Sequence, residues 1–110
     1  MSWRIVYSSQ ARQDLRSVFE YIANELCAPD TAANQARRIM KSIRDLEEMP
    51  LRYRLYEDEP WNRMGLRFFP ADNYLVFYLP KEAENVVNIV RIMYGGRDIK
   101  KQLNETVSLK

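Results

Sequence analysis

The final apolar run of the chain closes on Arg91, Ile92, Met93, Tyr94, Gly95, Gly96, Arg97 and Asp98, two guanidiniums set around a paired glycine break. Val86 to Met93 is rich in Val and Ile, the composition of a buried strand, and the glycines permit backbone angles that end it. Arg91 therefore falls inside the strand and Arg97 just beyond it. An arginine within an apolar strand is costly unless an anion meets it. The pattern points either to a phosphate or carboxylate ligand or to an internal pair with Asp or Glu. Arg67, Tyr74, Tyr78 and Tyr94 complete a set of cations and phenols at the sheet. Arginines clamp phosphate oxygens bidentately and stabilise the added charge of a phosphoryl-transfer transition state, while a tyrosine stacks on a base or moves a proton. Strand alternation puts Tyr74, Val76 and Tyr78 on one face, where the competing expectation is plain packing.

Other chemistries are excluded by composition. The chain has no histidine, which removes Ser-His and Cys-His nucleophile systems and histidine metal sites. Only three glycines occur and two are adjacent, so no glycine-rich phosphate loop exists. Glu57, Asp58 and Glu59 are contiguous, a spacing that seldom converges on one ion, and neither a metal nor a cofactor is expected. Cys27 is the single cysteine, so no intramolecular disulfide forms and a reducing cytoplasm fits. The first residues lack the apolar core of a signal peptide and no run reaches membrane-spanning length. A soluble, cytoplasmic protein is expected. The net charge of +2 is far from that of a dedicated nucleic-acid binder. Its distribution says more, because Arg91, Arg97, Lys100 and Lys101 gather near the end with only Asp98 opposing them. Such an end faces a polyanion or an acidic peptide, or is a solvated helix end.

The 110 residues suffice for one domain with a real core. Trp3, Ile5 and Tyr7 alternate as a short first strand, and Ser8 and Ser9 offer helix caps. Ala11, Leu15, Val18, Phe19, Ile22, Ala23 and Leu26 form one helical stripe ended by Pro29. Asp30 or Thr31 caps a second helix striped by Ala32, Ala36, Ile39, Met40, Ile43 and Leu46, stopped by Pro50. Residues 51–63 read as an irregular connection. Leu66 to Phe69, Tyr74 to Leu79 and Val86 to Met93 read as an antiparallel meander with turns at 70–73 and 80–85. The fold class is thus α+β in the order β-α-α-β-β-β, an antiparallel sheet with a two-helix hairpin on one face. Asp98 to Leu103 adds a short terminal helix, so residues 1–103 make the domain and 104–110 a frayed tail.

This order, together with Tyr7, Ser8, Ala11, Asp14, Leu15, Tyr21, Ile22, Pro50, Leu66, Arg67, the run Tyr74 to Tyr78 and the ending Arg91 to Asp98, resembles the RelE/ParE family of bacterial toxins. The likeness covers nearly the whole chain. It implies a growth-inhibiting toxin of a type II toxin-antitoxin module, neutralised by a cognate antitoxin that folds as it binds. RelE-like members cut messenger RNA in the ribosome, whereas ParE-like members bind and block DNA gyrase. For a metal-independent RNA-cutting toxin the resemblance implies catalytic roles for Arg67, Arg91, Tyr94 and Arg97. Tyr74, Tyr78, Lys100 and Lys101 would bind the target or the antitoxin. The cutters carry arginine where this chain has Tyr74, and the closing segment looks more like ParE. A gyrase inhibitor is therefore the first expectation and a ribosome-dependent mRNA endoribonuclease the alternative.

Overall fold

A computed structural model describes residues 2–96 and 98–106. The chain runs β1 (Arg4–Tyr7), α1 (Ser9–Glu20), a π-helical turn (Tyr21–Glu25), α2 (Pro29–Arg44), a 3₁₀ turn (Asp45–Glu47), α3 (Trp61–Met64), β2 (Arg67–Ala71), β3 (Tyr74–Lys81), β4 (Val86–Tyr94) and α4 (Ile99–Asn104). Ser8 caps α1, its hydroxyl accepting from the Ala11 N–H at 2.9 Å. Its own Oγ donates to Val90 O at 3.0 Å, which ties the start of the helix to β4. Pro29 opens α2 as its first residue, a position where a missing N–H costs nothing, so the cap is Ala28 rather than Asp30 or Thr31.

The sheet order is β1-β4-β3-β2. β2, β3 and β4 form the expected antiparallel meander, but β1 lies parallel to β4 with Arg4 opposite Val86. The sheet is therefore mixed. Parallel pairing needs a long crossover, and no local signal reveals the partner of an isolated first strand. Strand limits also shift: Pro70 and Ala71 still pair, leaving a tight turn at Asp72 and Asn73 with Asp72 at φ 57°.

Both faces of the sheet are covered. One carries Ala11, Ile39, Ile43 and Leu46 from the helices against Phe69, Val76, Tyr78, Val87, Ile89 and Ile92. The other packs Trp61 of α3 and Leu103 of α4 on Leu66, Phe77, Leu79, Val90 and Met93. The runs Leu75 to Leu79 and Val86 to Val90 are nearly continuous in apolar residues, which is what two-sided burial demands. Residues 51–63 are less irregular than expected: Trp61–Met64 makes one helical turn and Leu55 forms an isolated antiparallel bridge to Arg67, the first residue of β2. At the other end Asn104 is helical, while the buried Thr106 hydroxyl donates to Gln102 O at 3.1 Å. Structure thus extends past the expected boundary at residue 103, and residues 107–110 lie outside the described ones.

Candidate functional site

β4 carries a register shift between its pairs with Phe77 and Tyr78: Phe77 faces Arg91 and Tyr78 faces Ile89, so Val90 is extra. A bulge of this kind re-aims the next side chain. Arg91 is turned inward. Its Nε donates to Asp14 Oδ2 at 2.7 Å and its Nη2 to Asp14 Oδ1 at 3.0 Å, a two-pronged pair with the side chains only 11% and 14% exposed. Asp14 Oδ2 also accepts the Ile92 N–H at 2.9 Å. The remaining edge of the guanidinium reaches Thr106 Oγ1 at 3.2 Å and Gln102 O at 3.4 Å. Arg91 therefore clasps α1 and the end of α4 to the central strand. Of the two readings left open by the sequence, the internal pair is the one the geometry shows, so any anion at Arg91 would have to compete with Asp14 for the guanidinium.

Tyr78 is likewise engaged internally. It has no solvent exposure and its hydroxyl donates to Pro50 O at 2.6 Å, so its side chain presents no surface to a partner in this fold. Desolvation pushes its phenol far above the ordinary value of 10.0. Arg67, on the same strand face, is half-buried and donates through Nη1 to Tyr53 O at 2.6 Å and Leu51 O at 3.2 Å. Those bonds satisfy carbonyls of the incoming connection.

Among the described residues, what remains at the open end of the sheet is aromatic. Tyr74 and Tyr94 face each other across the first pair of β3 and β4, their rings edge to face with centroids 5.8 Å apart. Tyr94 is 50% exposed. The paired glycines act by space rather than by φ, since Gly65 is the glycine in the left-handed region. A Cβ on Gly96 would stand 2.7 Å from Tyr94 Cε2, and one on Gly95 would stand 3.3 Å from Asn73 O. Burial pushes the Tyr74 phenol above its ordinary value, and the nearby Tyr94 and Tyr21 phenols push it further. A phenol held this way donates a hydrogen bond at neutral pH and is a poor base.

Lys100 and Lys101 are exposed on α4, where they share a shallow depression of about 370 Å³ with Asp98, Asn104 and Glu105. Asp98 caps that helix by accepting the Lys101 N–H at 3.2 Å. Arg97 lies outside the described residues. The structure thus brings Tyr74 and Tyr94 together and removes Arg91 and Tyr78 from the surface. Sequence reasoning quoted Asp14 without giving it this role. An acid placed between Ala11, Leu15 and Val18 on the apolar face of α1 was the available signal for an internal partner of Arg91.

A family model of the ParE toxin of the parDE type II toxin-antitoxin system matches residues 5–99. The chain belongs to this toxin family. The toxin's fold recurs in the chromosomal ParDE system of P. aeruginosa, with a TM-score of 0.69 and 17% identity over 84% of this chain and 96% of that one. It recurs in the RelBE2 toxin-antitoxin complex of Mycobacterium tuberculosis, with a TM-score of 0.61 and 19% identity over 86% and 99% of the two chains. The isolated E. coli RelE toxin gives a TM-score of 0.59 and 11% identity over 94% and 97%. At these identities the likeness concerns the fold. No curated protein matches in sequence.

Proposed function

We propose that this toxin arrests growth by binding DNA gyrase, as a ParE-like inhibitor acting in the cytoplasm, and that it does not cleave RNA. The observation that carries the reading is the engagement of Arg91 by Asp14. Among the described residues, the arginine that β4 itself carries is held by two charge-assisted bonds inside the molecule. Tyr74 supports the same reading, standing where RNA-cutting members carry arginine, and loss of a phosphate-directed cation costs on the order of 3 kcal/mol of transition-state stabilisation. The matched ParE family model adds to it.

A cognate antitoxin with acidic and apolar residues is the proposed neutralising partner, encoded beside the toxin. Its binding should weaken with added salt, because the exposed lysines of α4 would take part. The deciding experiment incubates purified toxin with gyrase and relaxed plasmid. Blocked supercoiling or accumulated DNA breaks are expected. Unaffected gyrase at large molar excess, together with new 5′ ends on ribosome-bound messenger, would replace this reading with the RNA-cutting one.

A further inference from the structure

The margin of the sheet beyond β2 is closed by the chain itself. Residues 54–56 run antiparallel to the first half of β2: the Tyr56 N–H donates to Leu66 O at 2.8 Å, the Phe68 N–H donates to Arg54 O at 3.3 Å, and Leu55 sits opposite Arg67. Bonds on either side of a facing pair, with none between the pair itself, turn the N–H and C=O of Leu55 away from β2. Farther along β2 the next outward position after Phe68 is Pro70, which has no N–H to offer, so that half of the margin is blunted. Leu55 is the point at which the margin is open, and its side chain is 41% exposed.

Charge is ordered about that point. Arg52 and Arg54 precede Leu55, and Glu57, Asp58 and Glu59 follow it. The Arg52 guanidinium lies 4.9 Å from the centre of the Tyr53 ring and donates through Nη2 to the Tyr53 hydroxyl at 2.9 Å, while that of Arg54 lies 4.9 Å from the centre of the Phe68 ring. Both are held by aromatic rings, and among the described residues neither is paired with a carboxylate. On the other side burial, then the Asp58 and Glu57 carboxylates, push the Tyr56 phenol above its ordinary value, so these acids gather around Tyr56. Charges on a sheet edge ordinarily guard against pairing with another chain. Here the cations come before the open residue and the acids after it, so the edge is its own complement when run antiparallel.

We propose that the toxin self-associates through this edge, a second copy of the chain adding antiparallel across a twofold axis at Leu55. In that register Leu55 faces Leu55 of the partner and the two exchange their outward N–H and C=O bonds. Arg52 falls opposite the partner's Asp58, and Arg54 lies diagonal to it, within the reach of long side chains. Each contact occurs twice, and the interface closes at two copies. The shared ladder is short, so the dimer is a weak one. A nucleic acid is the less suited occupant, because it would meet Glu57, Asp58 and Glu59 along half of the edge. The proposal stands apart from the choice between gyrase and messenger RNA as target.

Sedimentation equilibrium of the purified toxin from about 1 µM to about 500 µM tests it, the range in which a small interface is read. A monomer–dimer equilibrium that weakens with added salt is expected. Arg52→Asp or Asp58→Arg alone sets like charges opposite each other at two places and should raise the dissociation constant about tenfold or more. The double variant Arg52→Asp with Asp58→Arg exchanges the signs and should dimerise again, a recovery that a misfolded single variant would not give. Leu55→Asp, at an exposed position, places two carboxylates on the axis and should leave a monomer with a melting curve close to that of wild type. A toxin that is monomeric throughout the range overturns the proposal. So does a dimer indifferent to the single reversals or to Leu55→Asp, a double variant as weak as the singles, or an assembly that grows beyond two copies.

Discussion

Replacing Asp14 by alanine isolates the clasp at the centre of the molecule. The change leaves the Arg91 guanidinium, 11% exposed, facing the uncharged Gln102 and Thr106 oxygens. It also strips the buried Ile92 N–H of its acceptor. Removing one member of a buried pair costs about 3–5 kcal/mol. The remaining neutral acceptors and the slight exposure argue for about 2–3 kcal/mol here, and the orphaned amide adds about 1 kcal/mol. For 110 residues the unfolding entropy near the transition is about 0.23 kcal/mol/K, so a loss of about 3–4 kcal/mol lowers the melting temperature by about 13–17 °C. Thermal unfolding followed by circular dichroism reads this directly. The double variant Asp14→Leu with Arg91→Met should lie well above the sum of the singles, because an apolar pair leaves no buried charge unmatched. A fall of less than about 4 °C for Asp14→Ala would refute the reasoning, since that is about 1 kcal/mol and typical of a surface pair. A functional Arg91 would show itself differently, by lost activity in Arg91→Met with an unchanged melting curve.

Tyr78→Phe removes the 2.6 Å bond to the Pro50 carbonyl and should cost about 1–2 kcal/mol in urea unfolding while leaving growth arrest intact. Lost arrest in a stably folded variant would return Tyr78 to the functional surface. Gly65→Ala forces a side chain onto φ 91° at the end of α3, where no atom lies within 4 Å, so a backbone penalty of about 1 kcal/mol is expected in the same assay. Asp72 accepts from Arg38 Nε at 2.9 Å and Gln35 Nε2 at 2.8 Å, bonds that hold its carboxyl below the ordinary 3.8. A depressed folded value means that its contribution is complete above the ordinary value and lost as pH falls through the folded one. The gap in urea midpoint between wild type and Asp72→Asn should therefore be constant near neutrality and close below about pH 4, and a gap that is flat down to pH 2 would contradict this.

Much of the fold was legible because local signals agreed with one another. Ser8 announced a helix start and caps it, Asp98 announced another, and the spacing of Ala32, Ile39, Ile43 and Leu46 matches a buried face. Illegible features depended on contacts distant in sequence. Nothing in Arg4 to Tyr7 specifies that its neighbour is β4, more than 75 residues on, or that the pairing is parallel. Trp61 and Leu103 lie in stretches too short to show periodicity, so the second core was missed although the unbroken apolar runs of β3 and β4 called for one. The site was harder still. Two guanidiniums by a glycine pair read equally well as a clamp or as a clasp, and only the position of Asp14, 77 residues away, decides between them. Gly96 was read for its backbone freedom, whereas its use is the space it leaves for a ring.

The clasp and the aromatic end are physically connected, which gives a reason for an ion pair where apolar residues would pack as well. Replacing buried pairs by hydrophobic ones is often neutral or stabilising, so net stability alone is a weak account of Arg91 and Asp14. Geometry is a better one. Asp14 serves as acceptor for both the guanidinium and the Ile92 amide, in the stretch where β1 has ended and α1 takes over as neighbour of β4. Without that carboxylate the last three residues of β4 would be paired only to β3 on one side. With it, the strand below Tyr94 is bonded along both edges, and Arg91 carries the same constraint across to Gln102 and Thr106 at the end of α4. A Leu-Met pair would restore packing but not the amide acceptor. The double variant should therefore recover most but not all of its melting temperature while amide exchange at Ile92 quickens, and unchanged protection there would show that the carboxylate is dispensable for positioning the ring.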